Sequence, residues 1–84
     1  MKIPKKIKVG AIDYDVIIVA EMEQTGVTSF TKQEIKIHKG KKDIMNVTFL
    51  HELLHTINNE YKETEIEFLA QALYTFIKNN PGVL

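Results

Sequence analysis

The sequence predicts an α+β domain, a small antiparallel sheet of two hairpins followed by two packed helices. Three features carry this expectation. The first half alternates apolar and polar residues at the period of a strand, and the second half repeats apolar residues at helical spacing. Strand patterns precede helix patterns without alternating with them, which favours α+β over a parallel α/β sheet.

Taken in order, Ile3, Ile7 and Val9 alternate with lysines, and Gly10-Ala11 offers a turn before Ile12–Val19 resumes the strand pattern. Glu21 to Gly26 reads as a connector closed by glycine. Val27–Phe30, Thr31-Lys32 and Gln33–His38 read as a second hairpin, with Ile35 and Ile37 facing inward. Lys39-Gly40-Lys41-Lys42 breaks the pattern. Asp43 is a candidate N-cap for a helix reaching about Asn58. Thr64 is a candidate N-cap for the second helix, with Glu67 three residues later as its capping-box partner. That helix runs to about Asn79 and stops before Pro81-Gly82.

The 84 residues fit one domain, 1–84, with 44% hydrophobic and 26% charged residues. A core this small leaves room for a bound metal or a partner to add stability. With no cysteine, a metal would have to be held by imidazole and carboxylate. No segment has the apolar length to span a bilayer. The basic stretch Met1–Lys8 leads into alternating residues and not into a signal-type apolar block, so a cytoplasmic protein is expected. The net charge of zero is uneven. Residues 1–42 hold nine lysines against five acids (+4), and residues 43–84 hold two against six (−4). The N-terminal lysines lack arginine and interleaved aromatics, so a solvated strand face is expected there in place of a nucleic-acid patch. A short sheet edge and an exposed site leave oligomerisation open.

The chemistry-bearing segment is His51-Glu52-Leu53-Leu54-His55. On a helical wheel set at Val47, Leu50, Leu53, Leu54 and Ile57 form the core stripe, and the two histidines lie beside it at about 40° and 80°. Imidazoles at i and i+4 can aim nitrogens at one ion, the reason zinc sites use this spacing. Glu52 projects from the edge of the same face, in reach of a water without being a ligand. A third ligand is needed. His38 is assigned a solvated role, which leaves Glu60, Glu63, Glu65 and Glu67. On the second helix Glu65 alone falls within a broad apolar arc formed by Ile66, Leu69, Ala70, Ala72, Leu73, Phe76 and Ile77, whereas Glu67, Gln71 and Lys78 form the water face. A carboxylate in an apolar arc wants a compensating cation, so Glu65 is favoured, with Glu63 and Glu60 as alternatives.

The stretch Val47–His55, followed by Glu65-Ile66-Glu67-Phe68-Leu69-Ala70, resembles the gluzincin-type zincin metallopeptidases. It is similar to the ImmA/IrrE-like peptidases and to small zincin-like proteins of phages and mobile elements. In those, a helix bearing HExxH follows a strand, and a Glu of an E-x-x-x-x-A stretch on the next helix supplies the third ligand. The likeness implies Zn²⁺ held by His51, His55 and Glu65, with Glu52 as general base. Many gluzincins also place an acid four residues after the ligand Glu to support a histidine. Here that position is Leu69, so support would have to come from Asn58 or Thr48.

The resulting expectation is a zinc-dependent metallopeptidase acting on a peptide or protein substrate, with no membrane or nucleic-acid partner. Gln33–His38 could pair with the substrate backbone if it forms a sheet edge. Tyr61 is a candidate oxyanion donor, though packing is its commoner use. The alternative is a non-catalytic protein in which zinc staples the two helices and the surface binds a protein partner.

Overall fold

The structure is a computed structural model and describes residues 1–82. Its elements are β1 (Lys6–Val9), β2 (Ile12–Val19), β3 (Gly26–Ser29), β4 (Glu34–His38), α1 (Lys42–Ile57) and α2 (Glu63–Asn79). This is the expected α+β order. β1 and β2 pair antiparallel, with Val9 opposite Ile12. Gly10 takes the left-handed position of their two-residue turn at φ 62°, where a Cβ would be strained. β3 and β4 form the second antiparallel hairpin, with Ser29 opposite Glu34. Phe30 and Gln33, expected in strands, belong to its turn, which Ser29 Oγ closes by accepting from Lys32 N at 3.2 Å.

The hairpins join through a parallel seam. The strand order is β1-β2-β4-β3, and Val16 of β2 lies opposite Ile35 of β4 in a parallel pair. The sheet is therefore mixed, antiparallel within each hairpin and parallel between them. Burial explains the arrangement. β4 carries Ile35 and Ile37, both fully buried, whereas β3 carries Gly26, Thr28 and Ser29. Placing β4 inside gives its isoleucines cover on both sides and leaves the more polar strand at the rim. Gln33–His38 is thus interior and has no free edge; the edge on that side is β3.

Val16, Ile35 and Ile37 from the sheet meet Phe49 and Leu50 of α1 and Ala70 and Tyr74 of α2 in one core. Cross-helix pairs run in opposite directions along the two chains, Asp43 with Lys78, Asn46 with Tyr74 and His51 with Glu67. The helices are therefore antiparallel, as their short connection requires. Both helices begin slightly earlier than expected. α1 is preceded by Lys41, which puts Asp43 in its first turn, and α2 is preceded by Lys62. At the start of α2 the backbone N–H of Lys62 donates to Glu65 Oε1 at 2.9 Å. The capping-box carboxylate is therefore Glu65, because Glu67 is bonded to His51 and Gln71. No described helix is long and apolar enough to cross a membrane.

Candidate metal centre

The helical spacing of His51 and His55 brings their rings to 5.0 Å between centroids. Both side chains are mostly shielded. Ligand-capable atoms of His51, Glu52 and His55 all lie within 4.8 Å of one another. β3 passes directly over this turn of α1. Gly26 and Thr28 are two apart on the strand and so share a face, and that face is turned toward α1. Thr28 Oγ1 donates to Glu52 Oε1 at 2.7 Å. A Cβ at Gly26 would clash with Thr48 Cγ2 and stand 3.2 Å from Glu52 Cγ. The close approach of the strand thus buries Glu52, which is only 7% exposed.

The carboxylate that reaches the histidines from α2 is Glu63. Its Oε2 lies 3.0 Å from His51 Nε2, and its Oε1 lies 2.8 Å from His55 Nε2. Glu65, the favoured third ligand, points elsewhere: it is exposed and its Oε1 is taken by the N–H of Lys62. The correction has a simple cause. Residues 63 and 67 are one turn apart and share the face of α2 that looks at α1, and 65 lies on the far side. Glu67 uses that face too, with its Oε2 2.8 Å from His51 Nδ1. Its other oxygen accepts from Gln71 Nε2 at 3.0 Å. The Gln71 hydrogen bond, followed by that of His51, holds the Glu67 carboxyl below its ordinary value against the opposing effect of partial burial.

These contacts test the donor set for a cation. If His51 donates its Nδ1 proton to Glu67, its Nε2 carries only a lone pair, and that lone pair faces Glu63 Oε2. Two acceptors 3.0 Å apart repel unless a proton or a cation lies between them. His55 Nε2 lies 2.8 Å from Glu63 Oε1, and its ring can donate there or turn the same lone pair to a cation. Glu52 adds a buried carboxylate beside them, a costly charge to keep without a compensating cation. A divalent ion at the two Nε2 atoms would satisfy all of these groups at once. Two imidazoles with carboxylates suit zinc better than magnesium or calcium, which prefer sets made wholly of oxygen.

The remaining sequence candidates fall outside this cluster. Asn58 Oδ1 accepts from Glu60 N at 3.0 Å and so holds the turn between the helices. Tyr61 lies in that same turn, its N–H directed to Asn58 O. Thr48 is buried and offers its methyl group to the backbone of Gly26. His38 ends β4 and does not line the groove over the site. That groove, about 840 Å³, lies between β3, α1 and α2 and extends from His55 and Glu63 to Ile44 and Lys78. Three residues at the site were assigned other roles from the sequence or none: Gly26, Thr28 and Glu67. The available signals were the Gly-x-Thr alternation of β3 and the i, i+4 pairing of Glu63 with Glu67.

No protein-family model, curated protein or solved structure matches the chain significantly. The likeness to zincins accordingly rests on the sequence motif alone.

Proposed function

We propose that the chain is a zinc-dependent metallopeptidase in which His51, His55 and Glu63 hold the ion and Glu52 is the general base. One observation carries the reading. The Nε2 atoms of both histidines converge on a single carboxylate from the neighbouring helix, beside a buried glutamate. Taking Glu63 in place of Glu65 gives up the E-x-x-x-x-A spacing, since Phe68 stands five residues on, but removes another departure from the gluzincin pattern. The acid four residues after Glu63 is Glu67, and Glu67 is hydrogen-bonded to His51.

When bound, zinc supplies Lewis-acid polarisation of a carbonyl and a lowered pKa for water. The protein's share is positioning and proton transfer. Thr28 occupies Glu52 Oε1, leaving Oε2 as the oxygen that accepts the proton of the attacking water. As the C–O bond forms and the C–N bond breaks, the same oxygen returns that proton to the leaving amine. Glu67 fixes the ring of His51. β3 is the sheet edge beside the groove, so an extended substrate can add to it as a further strand. Phe30 and Ile44 line the groove with exposed apolar surface, which favours an apolar substrate side chain.

The test is zinc content and cleavage of an unstructured protein, measured for the wild type and for Glu52→Gln. The variant is expected to keep stoichiometric zinc and to lose activity by roughly 10²–10⁴-fold. The second reading, a zinc staple without catalysis, is favoured by the same histidines and Glu63 joining α1 to α2. A zinc-loaded wild type that cleaves nothing, yet unfolds on chelation, would decide for the staple.

A further inference from the structure

The apolar arc of α2 is broader than the stripe the fold buries. Ile66, Ala70 and Tyr74 are buried against the core, with Ile77 packed beside them. Beyond that stripe the arc continues outward through Leu73, 42% exposed, and Leu69, 37%, to Phe76, 51%, and Phe68, 75%. Exposed Ala72 lies between them. The side facing the metal cluster, with Glu67 and Gln71, is distinct from both.

From this surface we infer that the protein forms a symmetric dimer through the outer face of α2, packed against α2 of a second copy in antiparallel orientation. The occupant follows from the spacing of the residues. A twofold axis at Ala72 places Phe68 of each copy against Phe76 of the other, with the small Ala72 pair at the crossing where two helices come closest. The same operation sets the one charge of the stripe, Glu65, beside Asn79, an amide that can donate to it. A parallel pairing would instead set Glu65 against Glu65. The area is also appropriate. The two phenylalanines, two leucines and Ala72 expose roughly 400 Å² of apolar surface. A standard interface of about 800 Å² per partner, a little over half of it apolar, needs nearly the same. The phenylalanines, the leucines and Ala72 do not line the groove, which the contact meets only at Asn79, and the contact does not depend on zinc or on catalysis.

The experiment is sedimentation of the full chain over a concentration series, beside Phe68→Glu and Ala72→Cys. The wild type is expected at the mass of two chains, and Phe68→Glu at the mass of one with unchanged circular dichroism. The natural sequence has no cysteine, so any disulfide in Ala72→Cys must join two copies. That variant should cross-link under mild oxidation far more completely than a control with cysteine at exposed Lys32. A wild type of single-chain mass throughout, a dimeric Phe68→Glu, or equal cross-linking of the two cysteine variants would each overturn the inference.

Discussion

Thr28 is the residue through which the sheet reaches the chemistry of the site. Its hydroxyl gives the buried Glu52 carboxylate a hydrogen bond at 2.7 Å, and valine at this position would keep the shape while removing the donor. Leaving a buried carboxylate short of a partner costs about 1–3 kcal/mol. Thr28→Val should therefore unfold at a lower denaturant concentration, and the loss should shrink in a Thr28→Val, Glu52→Gln double variant. Equal losses in both backgrounds would show that the two side chains do not interact. The acids of α2 allow a sharper contrast. Glu63 touches both histidines, whereas Glu65 accepts only from the N–H of Lys62. Glu63→Gln is expected to weaken zinc affinity by at least tenfold in a competitive chelator titration, with Glu65→Gln leaving it near the wild-type value. The reverse order would restore Glu65 as the ligand.

α2 also explains what the sequence could and could not convey. The β-then-α order, the inward Ile35 and Ile37, and the pairing of His51 with His55 follow from local periodicity, which one segment carries within itself. The third ligand does not. On a wheel the buried and exposed apolar residues of α2 form one broad arc that includes Glu65, and only the core shows that Ile66, Ala70 and Tyr74 are the buried side. Likewise Glu67 and Gln71 read as a water face because the helix they face was not visible from α2 alone. The parallel β2–β4 seam and the burial of Glu52 under β3 depend on long-range packing, to which periodicity is blind. The far ends of the helices are pinned by Asp43, which accepts from the Tyr74 hydroxyl and, at 3.2 Å, from Lys78. The Tyr74 hydrogen bond, then that of Lys78, holds the Asp43 carboxyl below its ordinary value of 3.8. A lowered carboxyl pKa stabilises the fold above the unfolded-state value and ceases to do so as pH falls through the folded one. The wild type should hence be more stable than Asp43→Asn at neutral pH, and the gap should close below pH 3.8. A gap independent of pH in chemical denaturation would rule out this linkage.

For the molecule as a whole, the question is how so small a core is kept folded. Among the described residues only Ile35, Ile37 and Ile66 are large side chains removed completely from water. The helices are held together at one end by Asp43 with Tyr74 and Lys78, and at the other by His51 and His55 with Glu63 and Glu67. In the second cluster His51 meets a carboxylate at each ring nitrogen, and a neutral imidazole donates from only one of them, so a cation at the other would complete the set. Zinc binding and folding should consequently be linked. A ligand present at a hundred times its dissociation constant adds about 2.7 kcal/mol when it binds only the native state. A chain of this size gains about 4–8 °C per kcal/mol. Adding zinc to metal-free protein should therefore raise the melting temperature by roughly 10–20 °C. Magnesium should have little effect, because imidazole nitrogens are poor ligands for it. The rise should vanish in His51→Ala and His55→Ala and persist in Glu52→Gln, whose side chain serves proton transfer in the proposed scheme and not ion binding. It should persist in Phe68→Glu as well, since that residue lies on the outer face of α2, so the comparison separates the metal's contribution from that of the dimer. Were the melting temperature of the wild type unchanged by zinc, the histidines and Glu63 would be an ordinary hydrogen-bonded cluster, and the proposed metal centre would have to be abandoned.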